Sequence, residues 1–175
     1  MGKLLAERYT PKTVIDFGCG IGSILEGFLE AQTPEVQGIE ISEVAWEYAS
    51  ERIKPFMKRQ DITKPLDVGK HDLVITLEVA EHIDPAGTDT FVQNLVDAAK
   101  EVIIFTAAPN EEGNPTHINC HPMTFWAAKF RARGFEPSDT ETTLVQKLWS
   151  PEGLPEKMQP PAYYRNNLQV FVRSQ

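Results

Sequence analysis

The feature that most constrains this chain is the regular alternation of short apolar runs with amphipathic stretches along its 175 residues. "TVIDF" (13–17) reads as a buried strand, and "GSILEGFLEAQ" (22–32) as a helix with apolar residues three and four apart. "EVQGIEI" (35–41) is a second strand, and Ser42 suits the N-cap of a helix through "EVAWEYASERI". A short third strand, "PFMKRQD" (55–61), precedes a fourth, "HDLVITL" (71–77), whose unbroken apolarity suits burial on both faces. A helix within "DPAGTDTFVQNLVDAAK", a fifth strand "EVIIFTAAP" (101–109) and a helix within "HPMTFWAAKFRARGF", stopped by Gly134, keep the rhythm. Strand and helix in turn at this spacing predict a doubly wound α/β domain on a parallel sheet. The end departs from it. "ETTLVQKLW" (141–149) and "NNLQVFVRS" (166–174) read as two strands with no helix between, free to pair antiparallel. Their connection, "SPEGLPEKMQPPAYYR", is long and Pro-rich, as functional covers are. The expectation is a seven-stranded, mostly parallel sheet with an antiparallel final pair, in a single domain over residues 1–175.

Composition narrows the partners. Hydrophobic residues at 41% and charged residues at 24% are ordinary for a globular protein. No apolar run approaches the ~20 residues that span a bilayer, and no signal-peptide pattern opens the chain, so a cytoplasmic location is expected. Cys19 and Cys120 lack CxxC spacing and read as reduced thiols. The formal charge of −8, with no basic run longer than "KR" at 58–59, argues against long polynucleotides and acidic membranes as partners.

"VIDFGCGIGS" (14–23) places Gly18, Gly20 and Gly22 in the turn after the first strand, where an α/β sheet binds its ligand. A dinucleotide site wants G-x-G-x-x-G, but Ser23 stands where the third glycine would be. The acids discriminate further. Asp16, in an apolar strand two residues before the first glycine, needs a donor; an ammonium group supplies one, whereas a pyrophosphate would repel it. Glu40, ending the second strand, suits a ribose diol, and Asp61, after the third, suits an adenine amino group. Three acids after three successive strands describe a cationic nucleoside ligand without phosphates, a description that S-adenosylmethionine fits.

On these residues the chain resembles the class I, Rossmann-like S-adenosylmethionine-dependent methyltransferases. "VIDFGCGIGS", "GIEIS", "RQDITKP", "DLVITLEVAEHI" and "THINCHPMTFWAAKFRARGF" match the family's motifs in order, from about residue 12 onward. The resemblance implies S-adenosylmethionine as cofactor and S-adenosylhomocysteine as product. It implies that Cys19, Ile41 and Ile62 join Gly18, Gly20 and the three acids at the cofactor, with Glu78 and Val79 near the sulfonium; Tyr9 is placed with them. It implies a small-molecule acceptor, a sugar or natural product, methylated on oxygen or nitrogen. Many relatives carry one or two helices before the first motif, where this sequence has only "MGKLLAERYT". Cover is therefore expected from the 150–166 loop with Trp149, Tyr163 and Tyr164, or from a partner subunit or oligomer over an open cleft. Those aromatics could equally pack a satellite core.

Methyl transfer is an in-line displacement, catalysed largely by holding the acceptor about 3–3.5 Å from the methyl group. A base is needed where the acceptor must lose a proton. His82 is the leading candidate by position, His117 and His121 follow it, and Glu81 is a further one. His121 could instead cap the helix that begins at Pro122, and His71 reads as a surface residue. Glu78, Glu81 and His82 form E-x-x-E-H, which with His117 could ligate a divalent cation. That pattern resembles metal-dependent O-methyltransferases of ubiquinone synthesis and small-RNA 2′-O-methyltransferases. It also occurs in metal-free small-molecule relatives, the reading favoured here. Rival readings are a metal-dependent 2′-O-methyltransferase of RNA ends, an NAD(P)-binding dehydrogenase, and a non-catalytic cofactor-binding subunit.

Overall fold

The computed structural model describes residues 1–110, 113–150 and 159–174. Its strands are β1 (Thr13–Phe17), β2 (Glu35–Ile39), β3 (Met57–Lys58), β4 (His71–Leu77), β5 (Ala99–Thr106), β6 (Phe135–Pro137) and β7 (Leu168–Arg173). They form one seven-stranded sheet in the order β3-β2-β1-β4-β5-β7-β6. The pairs from β3 to β5 are parallel, and β7 runs antiparallel to both β5 and β6. The expected fold class is therefore the observed one. Its helices are α1 (Gly2–Tyr9), α2 (Ser23–Glu30), α3 (Glu43–Tyr48), α4 (Thr88–Ala98), α5 (Met123–Arg131), α6 (Asp139–Leu148) and α7 (Ala162–Asn166).

Strand alternation divides the core between the two faces. Ile15 and Phe17 of β1 join the cluster that takes Phe91 and Leu95 of α4 and Trp126 and Phe130 of α5. Val14 belongs to the other, with Leu5 of α1, Leu25 and Phe28 of α2 and Val145 of α6. Helices α1 and α2 meet backbone to backbone, since a Cβ on Gly27 would run into Gly2 and Lys3.

Several expectations are corrected. Residues 141–148 are helical, not a strand, with Trp149 as the C-cap: Ser138 caps α6 by accepting from the Glu141 amide, and Val145 and Trp149, four apart, are both buried. The strand that pairs with β7 is β6, only three residues long. Residues 55–61 contribute just Met57–Lys58, after a 3₁₀ turn at Lys54–Phe56. His71 is buried, its Nε2 3.1 Å from the Val68 carbonyl oxygen. Trp149 is fully buried in the core, so of the two roles expected for it the structure takes packing rather than cover. Of the expected covering loop, residues 151–158 lie outside the described residues. No helix among the described residues is long and apolar enough to cross a membrane.

Candidate active site

Parallel strands bring the turns after β1, β2, β3 and β4 to one rim. Gly18 occupies the first turn at φ +75°, and a Cβ there would meet Val79 Cγ2 at 2.5 Å. A side chain would suffer both an unfavourable backbone conformation and a clash, so glycine is required. The Gly18 and Cys19 amides both donate to the Ile39 carbonyl oxygen, at 2.8 and 3.0 Å, which draws the glycine turn against the end of β2. Glu40 completes that junction: its Oε2 accepts from the Gly20 amide and its Oε1 from the Ser42 amide, both at 2.8 Å.

The acids differ in their surroundings. Asp16 is 3% exposed; burial, and then the neighbouring Glu40 carboxylate, pushes its pKa from 3.8 up to about 7. A positive charge placed there relieves both effects. Asp61 is held below its ordinary value by the hydroxyl and amide of Thr63, at 2.6 and 2.9 Å. Burial, joined by the charges of Asp16 and Glu40, drives the Cys19 thiol upward and away from nucleophilic behaviour.

A cleft of about 480 Å³ runs past Gly18, Glu40, Ile41, Asp61, Ile62 and Val79, so it gathers cofactor candidates from four turns. It shares Gly18 with a second cavity of about 390 Å³, lined by Asp16, Cys19, Gly20, Met1 and Tyr164. Tyr9 is not among the residues lining either cavity. Its hydroxyl donates to Glu141 Oε2 at 2.9 Å, so its placement at the cofactor is corrected: Met1, at the other end of α1, lines the rim instead.

Beyond Glu78 and His82 the cleft continues into a recess of about 300 Å³ lined by Glu78, Glu81, His82, His117, Asn167 and Tyr163, among others. Glu78 sits at φ +55°, a left-handed conformation uncommon outside glycine, and its amide donates to the Thr106 Oγ1 at 2.9 Å. Glu81 is 1% exposed, and neither carboxylate oxygen has a hydrogen-bond partner among the described residues. Burial and then the neighbouring Glu81 carboxylate raise the pKa of Glu78, and burial raises that of Glu81. His82 Nδ1 lies 3.1 Å from both the carbonyl oxygen and the hydroxyl of Thr116. Donation to that carbonyl puts the proton on Nδ1 and leaves Nε2 as the basic nitrogen. The His82 and His117 rings meet edge-on, 4.8 Å between centroids. Each of Glu81, His82 and His117 offers a ligand atom within 4.8 Å of the others, but Glu78, fourth of the expected metal set, is not in that group. His121 does not line the recess: it stacks on Phe125 at 3.7 Å, and its Nε2 is 3.1 Å from Asn119 Oδ1. Nor does it cap α5, whose N-cap Pro122 has no side-chain partner.

Three buried asparagines absent from the sequence expectations hold the rim together. Asn94 Nδ2 donates to the Ile62 and Lys64 carbonyls while its Oδ1 accepts from the Leu66 amide, pinning the loop after β3. Asn119 Nδ2 donates to the Ala80 carbonyl oxygen and Thr88 Oγ1, locking the loop after β5 onto the turn after β4. Asn167 Nδ2 lies 3.4 Å from both oxygens of Glu78. Asn94 alone left a local signal, a polar residue among Phe91, Leu95 and Ala98 on the apolar face of α4.

Fold and rim together define a Rossmann-like domain with the nucleoside-binding architecture of class I methyltransferases. A family model described as a methyltransferase domain matches residues 14–101, and the chain belongs to that family as an S-adenosylmethionine-dependent enzyme. Solved structures share the fold. Magnesium protoporphyrin IX methyltransferase from Synechocystis PCC 6803, with bound S-adenosylmethionine, is 22% identical at a TM-score of 0.66, covering 98% of this chain and 74% of its own. A sugar N-methyltransferase from a Streptoalloteichus species is 16% identical at a TM-score of 0.67, over 99% of this chain and 85% of that one. A bacterial Hen1 methyltransferase domain is 18% identical at 0.67, over 99% and 95%.

Proposed function

We propose that this chain, as one domain, transfers the methyl group of S-adenosylmethionine to an oxygen or nitrogen of a small-molecule acceptor. The observation that carries it is the continuity of the rim: the cofactor cleft and the recess share Glu78 and His82. In this reading Glu40 accepts from the ribose hydroxyls, Asp61 with Ile62 meets the adenine, and Asp16 takes the ammonium end. Gly18, Cys19 and Gly20 let the cofactor approach the backbone. The sulfonium then lies beside Glu78 and Val79, with its methyl group facing the recess. His82 Nε2 serves as general base, supported by His117, and Glu81 polarises the acceptor. The sulfonium is already an activated methyl donor, so no metal is needed for the displacement. The magnesium protoporphyrin and sugar N-methyltransferases are precedents on this fold for small-molecule acceptors.

Substituting His82→Ala is expected to lower kcat on the order of 10²-fold or more, as loss of a general base does, with S-adenosylhomocysteine affinity unchanged. Single-turnover rates with labelled cofactor and calorimetry measure the two quantities. A full rate in the variant removes His82 from catalysis.

A further inference from the structure

Resting on the assignment of the recess as the acceptor site, we infer that the accepting atom is the nitrogen of an amine that enters as its ammonium ion. Glu81 is 1% exposed, lines the recess, and neither of its carboxylate oxygens has a hydrogen-bond partner among the described residues. An orphaned buried carboxylate is among the costlier arrangements a fold can keep, and it is retained where a ligand completes it. Glu78 faces the same space, with Asn167 Nδ2 at a long 3.4 Å from both of its carboxylate oxygens. No lysine or arginine is among the described residues lining the recess. The other polar groups there, Asn114, Tyr163 and the two histidine rings, supply no fixed positive charge.

Two carboxylates without a counter-cation repel phosphates and carboxylates. A neutral hydroxyl brings a single donor, too few for two acceptor groups. An ammonium group brings three donors and the missing charge, and its hydrogen bonds to carboxylates are of the strong, charge-assisted kind. The chemistry balances. With Glu81 holding the ammonium, one of its protons passes to His82 Nε2, the general base at the same recess, which frees the nitrogen lone pair. That pair forms the N–C bond while the C–S bond breaks, and the C–S electrons stay on sulfur as the neutral thioether of S-adenosylhomocysteine. The product methylammonium carries the positive charge that sulfur has lost, and the proton on His82 returns to solvent.

The test uses two ligands of the same shape, cyclohexylamine and cyclohexanol, titrated calorimetrically into the full chain saturated with S-adenosylhomocysteine. The amine is expected to bind about tenfold or more tightly than the alcohol, the scale of a charge-assisted pair. Glu81→Gln is expected to erase that preference and Glu81→Asp to keep part of it, both with S-adenosylhomocysteine affinity intact as the measure of folding. Equal affinities, binding of neither ligand, or a preference that survives Glu81→Gln overturns the amine assignment. So does micromolar Mn²⁺ binding that Glu81→Gln abolishes, because the carboxylate would then serve a metal. Failure of S-adenosylhomocysteine to bind the wild-type chain is a different result, and it overturns the site reading beneath.

Discussion

The acids of the cofactor cleft and the acids of the recess lie on one rim but are built in opposite ways. Glu40 and Asp61 are already satisfied: the amides of Gly20 and Ser42 hold one, the amide and hydroxyl of Thr63 the other. Both are held in place, and in the proposed reading they meet the hydroxyl and amino donors of a cofactor that never changes. Glu78 and Glu81 are under-satisfied, and their pKa values are raised by burial. A carboxylate left short of donors takes its geometry from what binds beside it, so the acceptor half derives its character from the acceptor. Asp16 is the exception on the cofactor side, buried like Glu81 yet facing the glycine turn.

That exception gives the largest expected effect. Asp16 has its pKa raised from 3.8 to about 7, so the folded chain holds a proton there that the unfolded chain releases earlier. Its contribution to stability is full below the unfolded value and is lost as the pH climbs through about 7, on the order of 4 kcal/mol in all. Urea unfolding of the cofactor-free chain should therefore show stability falling between about pH 4 and 7, and Asp16→Asn should flatten much of the slope. Glu78 and Glu81 shift in the same direction, so the difference between wild type and variant isolates the cofactor side. Binding of S-adenosylhomocysteine should strengthen over the same range, because its ammonium group favours the ionised Asp16. An identical slope in the variant would mean that all of the pH dependence belongs to the recess, and the comparison would lose its exception.

Glu40→Ala comes next. Removing a carboxylate that accepts charged hydrogen bonds should weaken S-adenosylhomocysteine by about 1–3 kcal/mol, roughly 5- to 150-fold. The preference of the recess for its acceptor should stay as it was. Calorimetry on both ligands checks the pair of outcomes, and an acceptor affinity that falls as far as the cofactor's would show that the halves are not separable.

The contrast also explains how much the sequence disclosed. Strands β1 to β5, the glycine turn, and Asp16, Glu40 and Asp61 were legible because each lies at a strand end in a repeating βα unit. Local pattern and topology then place it without further information. The last part of the fold was misread at residues 141–149, where threonine, valine and tryptophan suggested a strand. The Ser138-x-x-Glu141 cap and the four-residue spacing of Val145 and Trp149 were the better signal, and burial of both side chains settled it. His82 and Glu81 were legible as candidates from E-x-x-E-H. Their surroundings were not, since Thr116 reaches His82 across 34 residues and Asn167 reaches Glu78 across 89. Side-chain partners at that separation leave no periodicity to read.

Asn167 carries the smallest expected effect and bears most directly on where one half ends. Its long contacts favour the charged form of Glu78, so Asn167→Ala removes a modest stabilisation, about 0.5–1 kcal/mol, or a fewfold in kcat. The direction in pH is fixed by the same contacts: without them the Glu78 pKa rises further, and the acid limb of the rate profile should move to higher pH. Asn167 lines the recess but neither cofactor cavity, whereas Glu78 lines both the recess and the larger cleft. If Glu78 acts chiefly on the acceptor, the variant changes kcat and the acid limb and leaves S-adenosylhomocysteine affinity alone. If affinity falls together with kcat, Glu78 belongs to the cofactor cleft, and the boundary between the two halves moves from Glu78 to Glu81.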